Sequence, residues 1–154
     1  MDSRGAGGVG PPHTVILDAS VAIKWCLADE SDPAANALLD GHRQGQIEMA
    51  VPDLFLPEMA SALVRAVRRG RLDAKELDDA FTLLQGLDLE ILGTDALVPT
   101  VCREALATGC TTYDLFYVLL AQARNDVLVT ADERLVRALA HRFPVRSLAS
   151  FSEW

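Results

Sequence analysis

The sequence predicts an α/β protein of three layers, in which helices cover both faces of a central parallel sheet. Two patterns predict this fold. Short apolar runs, several rich in β-branched residues, alternate along the chain with longer segments that carry apolar residues at helical spacing. The 154 residues are 50% hydrophobic, which suits one domain with a buried core. We expect this domain to span residues 13–154, after a disordered Gly/Pro tail at residues 1–12.

In the first half of the chain, two predicted strands alternate with four predicted helices. The strands are 14–17 and 47–51, and the helices are 20–28, 32–45, 53–69 and 73–85. Pro33 suits the first turn of its helix, where the missing N–H has no acceptor. The helix at 53–69 carries an apolar stripe that ends at Gly70, and the next helix begins with Asp73 and Glu76 at capping-box spacing.

The second half continues the alternation. The predicted strands are 89–92, 127–129 and 145–148, and the predicted helices are 94–108, 112–125 and 133–142. The helix at 94–108 is predicted despite Pro99, and the helix at 112–125 is apolar nearly all round, which indicates burial. Residues 72–87 fit either an interface helix or a helix packed on the core. Strands joined by helices in this way form a parallel sheet.

Composition and charge argue against several classes of protein. The net charge of -8 disfavours broad, non-specific nucleic-acid binding but allows a nuclease with a local basic surface. No apolar run reaches the ~20 residues of a membrane span, and the N-terminus lacks the apolar core of a secretory signal. Cys26, Cys102 and Cys110 fit no zinc pattern and are interpreted as reduced, buried thiols, which favours a cytoplasmic protein. Residues 5–10 match a dinucleotide fingerprint, but no strand precedes them, so we interpret them as tail.

Four acidic residues are candidates for a functional site. Open parallel sheets bind ligands beyond the carboxyl ends of their strands. Asp18 directly follows the first predicted strand, and Asp132 follows the strand at 127–129. Asp114 begins the most apolar helix, and Glu58 lies near the start of the striped helix. If both strands are central, we expect Asp18 and Asp132 to point into one crevice.

Each of these acids also has a purely structural interpretation. Asp18 and Asp132 both suit the N-cap of the helix that follows them. Asp114 lies three residues after Thr111, which fits a capping box. Glu58 lies off the apolar stripe, so periodicity places it on a solvated face. No single position decides between structure and chemistry.

Taken together, the four acids sit in motifs that resemble a known family. The segments are DASVAIKW around Asp18, LPEMASAL around Glu58, TTYDLFYVLLA around Asp114 and LVTADERL around Asp132. In order, spacing and flanking apolar residues they resemble the PIN domain, and most closely the VapC-type ribonuclease toxins of bacterial toxin–antitoxin pairs. The resemblance covers nearly the whole predicted domain.

This resemblance implies a PIN-like α/β/α fold and a Mg²⁺- or Mn²⁺-dependent endoribonuclease that cleaves RNA phosphodiester bonds by metal-activated water. It implies that the four acids form the catalytic centre, and we assign Asp18 and Asp114 as direct metal ligands, with Glu58 and Asp132 acting through water. All-oxygen ligands suit Mg²⁺ or Mn²⁺ rather than zinc. Thr130 fills the place of the hydroxyl or Asn that precedes the last acid by two in the family. The resemblance also implies a homodimer and a small antitoxin protein whose segment lies across the acidic crevice.

Other residues are candidates to bind the RNA beside these acids. Ser20 and Thr130 contribute hydroxyls, and Lys24 lies one turn beyond the first acid on its helix. The arginines near the acids are equally compatible with phosphate contacts and with solvated charge at helix ends, and they are Arg65, Arg68, Arg69, Arg71, Arg134 and Arg137. The three histidines (His13, His42, His141) are interpreted as surface residues, and Trp25 and Trp154 as packing residues.

Three other functions gather acids at strand ends. A phosphoacceptor signalling domain needs an adjacent acid pair after the first strand and a Lys after the last, neither of which this chain offers. A haloacid-dehalogenase-like phosphatase needs a second Asp two residues after the first, where this chain has Ser20. A non-catalytic domain that uses the acids to bind a partner stays open, and metal-dependent RNA cleavage discriminates it from the nuclease.

Overall fold

The computed structural model describes residues 13–153 and contains a five-stranded parallel sheet between layers of helices, which confirms the predicted fold class. The strands are β1 (His13–Leu17), β2 (Ile47–Pro52), β3 (Glu90–Leu92), β4 (Val127–Thr130) and β5 (Val145–Ser147). The helices are α1 (Ala19–Cys26), α2 (Pro33–Arg43), α3 (Phe55–Arg68), α4 (Ala74–Gly86), α5 (Val98–Thr108), α6 (Thr112–Arg124) and α7 (Glu133–Leu139). The predicted tail at 1–12, with its fingerprint at 5–10, lies outside the described residues, as does Trp154.

The order of the strands creates a crevice beside the first one. The order is β3-β2-β1-β4-β5, with every pairing parallel. The chain moves outward from β1 to β2 and β3, and then returns to place β4 on the other side of β1. Leu17 pairs with Val129, so the carboxyl ends of β1 and β4 lie level. Because the segments that leave these two strands diverge, a crevice opens between them.

Burial of the central strands fixes the sheet. Ile16, Leu17 and Leu128 have no exposed surface. Helix α6 lies against β1, β2 and β4 and buries Leu115 and the continuous run 117–121, in keeping with the burial that its apolar sequence predicts. Helix α4 buries Ala80 and Leu84 against the core, which supports the core interpretation of residues 72–87.

Several predicted boundaries differ from the observed ones. The helix predicted at 94–108 is a 3-10 turn, Asp95–Leu97, followed by α5. Pro99 lies in the first turn of α5, where no backbone acceptor needs its missing N–H, and so it does not break the helix. The first helix ends at Cys26 and the last at Leu139, both earlier than predicted. The predicted strand 145–148 is one residue too long, because a 3-10 segment begins at Leu148.

Single-residue interpretations also needed correction. His42 is half-buried rather than exposed, with Nδ1 3.0 Å from the Ile47 carbonyl oxygen and Nε2 2.6 Å from that of Leu87. The three cysteines are free but not fully buried as predicted, because Cys102 is exposed and Cys26 and Cys110 are half-buried.

Trp25 packs between α1 and α2, where its Nε1 donates to the Ala35 carbonyl oxygen at 2.8 Å. In residues 13–153, no helix is long and apolar enough to cross a membrane.

Candidate functional site

The site is built around Asp18, which follows β1 at the crevice. Asp18 is 8% exposed, and its Oδ2 accepts hydrogen bonds from Ser20 Oγ and from Thr130 Oγ1, both at 2.7 Å. Each hydroxyl is held in turn by the backbone, because Ser20 Oγ accepts the Ala131 N–H and Thr130 Oγ1 accepts the Asp132 N–H, both at 3.0 Å. The carboxylate of Asp18 is therefore fixed in orientation by groups from both sides of the crevice.

This geometry replaces the helix-cap interpretation of Asp18. The residue occupies the N-cap position of α1, but its side chain makes no capping hydrogen bond. Burial raises the pKa of Asp18, and the charge of Asp114 raises it further, while the hydrogen bonds from Ser20, Thr130 and the Ala19 backbone oppose the rise. A carboxylate held in this way is positioned to bind a cation.

Ser20 and Thr130 differ in what they can reach. Thr130 is fully buried, with its hydroxyl on Asp18, so we assign it a positioning role in place of the predicted substrate contact. Ser20 is half-buried and lines the cleft described below, so the predicted contact with substrate stays a prediction for it.

The periodicity of α3 predicts that Glu58 lies on a solvated face, and this prediction is wrong. Glu58 sits in the first turn of α3, half-buried, and its Oε1 is buried without a hydrogen-bond partner in residues 13–153. Burial raises the pKa of Glu58 to about 7, with further contributions from the charges of Asp18 and Asp114. The hydroxyl of Tyr117 lies near enough to oppose this rise but is not in hydrogen-bonding geometry, and it too is buried without a partner in the described chain.

Asp114 and Asp132 reach the site from the starts of two helices. Thr111 caps α6 by accepting the Asp114 N–H at 3.1 Å, and no bond from the Asp114 carboxylate to the Thr111 N–H completes a capping box in the part described. Burial raises the pKa of Asp114, opposed by Thr111, and the charge of Asp132 adds to the rise. Asp132 does cap α7: its Oδ1 accepts from the N–H groups of Arg134 and Leu135 at 3.0 and 3.4 Å.

The fold thus brings the four predicted acids into electrostatic contact. Glu58 interacts with Asp18 and Asp114, and Asp114 interacts with Asp132. Within residues 13–153, however, no three Asp, Glu, His or Cys side chains are close enough together to form a ready-made metal site. The arrangement is an open acidic crevice in which like charges disfavour one another, and a cation would relieve that repulsion.

The pH dependence of stability tests the burial of Glu58. Because folding raises its pKa from 4.5 to about 7, the folded state favours the neutral acid, and stability falls as the pH rises through that window. Glu58→Gln cannot ionise, so above pH 7 we expect its Tm to exceed that of the wild type by about 2–8 °C, or roughly 1–2 kcal/mol after allowing for partial exposure. Thermal melts of metal-free protein measure this, with the exposed Glu48→Gln as control. A gain of equal size below pH 4.5 would show that repacking, and not charge, is responsible.

The predicted cationic contacts separate into two groups. Lys24 points to Asp32, with Nζ 3.8 Å from Oδ2, and Arg71 pairs with Asp29 and Glu30 at 2.9 and 2.7 Å, so both are engaged away from the acids. Arg134 lies beside Asp132, with Nη2 3.5 Å from Oδ2. Arg65 and Arg68 stay exposed on α3.

A cleft of about 510 Å³ adjoins the acids, which we call the α1–α3 cleft. Its polar lining residues include Ser20, Glu58 and Arg65, and Tyr113 from α6 also lines it. The remaining walls are contributed by α1 and α3, through Ala19, Ile23, Leu54, Pro57, Ser61 and Ala62.

Sequence reasoning missed both tyrosines of α6. Tyr117 lies three residues after Asp114, and residues at that spacing share a helix face. Because Tyr117 shares a helix face with a proposed catalytic acid, the sequence could have marked it as a residue near the site. Nothing in the sequence marked Tyr113 as the one tyrosine of the two that stays exposed.

Comparison with known proteins places the chain among relatives of one kind. It matches the family model for the PIN domain over residues 15–140. It is 32% identical over 133 residues to Ribonuclease VapC3 of Mycobacterium tuberculosis, spanning 86% of this chain and 93% of that protein. It is also 32% identical over 121 residues to VapC ribonuclease Mb0985 of Mycobacterium bovis, spanning 79% of this chain and 87% of that protein.

Two solved structures share the fold. The crystal structure of PAE2754 from Pyrobaculum aerophilum aligns with a TM-score of 0.64 at 20% identity and covers 94% of both chains. The crystal structure of VapBC2 from Rickettsia felis, bound to a DNA fragment from its promoter, aligns with a TM-score of 0.63 at 15% identity and covers 87% of this chain and 98% of that one. At these identities the likeness is one of fold.

Proposed function

This chain belongs to the PIN domain family, and we propose that it is a divalent-metal-dependent endoribonuclease, the toxin of a toxin–antitoxin pair. The observation that carries the proposal is the buried Asp18, held by Ser20 and Thr130 and in electrostatic contact with Glu58 and Asp114. The names of its 32%-identical relatives, which describe ribonucleases, support RNA as the substrate.

The donor set fits Mg²⁺ or Mn²⁺. All four acids offer carboxylate oxygens, and one oxygen of Glu58 is buried with no partner in the described chain. Mg²⁺ binds through one or two carboxylates, keeps several waters and adds substrate phosphate oxygens, so an open crevice suffices. Asp18 and Asp114 would hold the ion directly, with Glu58 and Asp132 acting through water. When bound, the ion lowers the pKa of a water and offsets negative charge on the scissile phosphate.

The chain's own residues supply orientation and proton handling. Ser20 and Thr130 keep Asp18 in one orientation through two hydrogen bonds of 2.7 Å. Glu58, half-buried near Asp18 and Asp114, is suited to orient the attacking water and to accept its proton. Asp132 holds the start of α7 while its charge remains within reach of Asp114.

The partners follow from the same proposal. A negative crevice attracts cationic side chains, so an antitoxin segment carrying Arg or Lys would compete with the metal there. We propose a small antitoxin protein of this kind as the neutralising partner, a homodimer as the assembled state, and the cytoplasm as the compartment, in keeping with three free cysteines.

Metal addition and removal test the proposal. We expect purified protein to cut single-stranded RNA with Mn²⁺ or Mg²⁺ and to stop when EDTA is added. We also expect saturating metal to raise the Tm by about 5–10 °C, because a ligand at 100 times its Kd stabilises by about 2.7 kcal/mol. Cleavage is followed on denaturing gels and the Tm by far-UV circular dichroism.

The control uses a carboxylate outside the crevice. Asp40→Asn, an exposed residue of α2, should leave both the cleavage and the metal-induced rise in Tm unchanged. Cleavage that persists in EDTA would contradict metal dependence. A rise in Tm without any cleavage would favour the non-catalytic partner-binding domain.

A further inference from the structure

We propose that the α1–α3 cleft binds one nucleotide of single-stranded RNA beside the cut site, with Tyr113 stacking on the base and Arg65 pairing with a phosphate. The inference rests on the proposed function, because it describes how the same site holds its substrate.

The cleft has the size and position that such a nucleotide requires. Its volume of about 510 Å³ falls within the range of about 300–1,000 Å³ typical of small-molecule sites. Its lining includes Glu58 and Ser20, and Ser20 donates to the Asp18 carboxylate. A nucleotide in the cleft would therefore be contiguous with a phosphate at the acids.

Tyr113 presents an aromatic ring that the fold does not use. It is 63% exposed, whereas Tyr117, one turn later on the same helix, is 1% exposed. The ring of Tyr113 lines the cleft, and the next residue in the chain, Asp114, belongs to the acidic crevice. Unstacked bases of single-stranded RNA bind exposed aromatic rings in this manner.

Arg65 is the cation placed to accompany that base. It follows Glu58 by seven residues on α3, which sets the two about 10 Å apart along the helix axis. Arg71 and Arg134 are engaged with carboxylates, whereas Arg65 is exposed and forms no ion pair in residues 13–153. A guanidinium on the wall of a cleft that begins at the acids suits a phosphate next to the scissile one.

The charge of the whole chain favours a contact of this kind. A net charge of -8 disfavours general attraction between protein and RNA, since that attraction comes from Lys and Arg neutralising phosphates. Stacking does not depend on net charge, and together with a small number of local cations it can supply the affinity that the net charge does not. The apolar lining residues of the cleft, which include Ile23 and Leu54, suit the face of a base.

Binding to a fluorescein-labelled single-stranded RNA of mixed sequence tests the proposal, by anisotropy, in protein carrying Asp18→Asn to prevent cleavage. We expect Tyr113→Ala to weaken binding by about 5- to 150-fold without changing the slope of log K against log salt. Tyr113→Phe should restore most of the affinity. Arg65→Ala should make that slope shallower by about 0.7, the value for one phosphate contact on a single strand.

Matched controls lie outside the cleft. Leu106→Ala removes a large side chain that is 91% exposed on α5, and Arg43→Ala removes an exposed arginine at the end of α2. Neither should change affinity or salt slope. A duplex of the same sequence should not respond to Tyr113→Ala, because its bases are not available for stacking.

The outcomes separate this inference from the proposed function. Unchanged RNA affinity in Tyr113→Ala, or no binding of single-stranded RNA by the parent protein, overturns the inference. If Tyr113→Ala weakens only the binding of a cationic antitoxin peptide, the cleft is a peptide site and the inference is wrong. If wild-type protein with Mn²⁺ cuts no RNA, the proposed function fails, whereas cleavage with an unchanged KM in Tyr113→Ala defeats the inference alone.

Discussion

Asp18→Asn is expected to lower the rate of metal-dependent RNA cleavage by about 1,000-fold or more while preserving the fold. An amide oxygen can accept the same hydrogens from Ser20 and Thr130 that Oδ2 accepts now. The variant loses only the negative charge, and that charge is what binds a cation. Since burial raises the pKa of Asp18, its charge opposes folding at neutral pH, and we expect the Tm of the metal-free variant to equal or exceed that of the wild type.

Paired measurements separate loss of chemistry from loss of structure. Cleavage of single-stranded RNA and the Tm with and without Mn²⁺ are compared among wild type, Asp18→Asn and the exposed control Asp40→Asn. We expect inducible expression of the same variants to give growth arrest and RNA fragments for the wild type and the control only. Wild-type cleavage by Asp18→Asn would remove Asp18 from the mechanism.

The parts of the fold that sequence could predict are those governed by local patterns. Strands at 14–17 and 127–129 are predicted by short β-branched runs, and Asp18 is a site candidate because it directly follows the first of them. The structure places both strands in the interior of the sheet. The Asp73–Glu76 capping box is present, with both hydrogen bonds formed at 2.7 and 2.8 Å. These features depend on residues a few positions apart, so they are visible in one sequence.

What the sequence did not predict depends on tertiary contacts. The local sequence predicts an exposed Glu58, whereas the fold half-buries it near Asp18, Asp114 and Tyr117, which come from distant parts of the chain. His42 becomes half-buried because two backbone carbonyls, those of Ile47 and Leu87, approach its ring from separate segments. The direction of Lys24 was set by Asp32, which is near in sequence but follows an intervening 3-10 turn.

The site itself divides in the same way. The hydroxyl that precedes the last acid by two was marked by the family pattern, but sequence could not indicate that Thr130 would be fully buried. The structural and chemical interpretations of an acid were also not exclusive, because Asp132 caps α7 and interacts with Asp114 as well. A helix N-terminus at the end of a strand naturally supplies both roles.

Asp114→Asn is the variant in which these two interpretations give opposite results. As a metal ligand, Asp114 is required for cleavage, and we expect its loss to lower the rate by about 100-fold or more. An acid in the first turn of α6 gains roughly 0.3–1 kcal/mol from the helix dipole. Burial raises the pKa of Asp114 and the charge of Asp132 adds to the rise, so the charged form is disfavoured in the folded protein.

The stability of Asp114→Asn should therefore be unchanged or higher near neutral pH, and any gain should disappear as the pH falls below the ordinary value of 3.8. Thr111→Ala provides the structural comparison, because it removes the hydroxyl that accepts the Asp114 N–H and should cost about 1 kcal/mol, or about 2–4 °C in Tm. If Asp114→Asn melts several degrees below the wild type at neutral pH, as Thr111→Ala should, then Asp114 is part of the helix cap and the metal site is misassigned. An inactive protein with an undiminished Tm is the result that only a ligand role explains, since a cap cannot be removed without cost to the folded state.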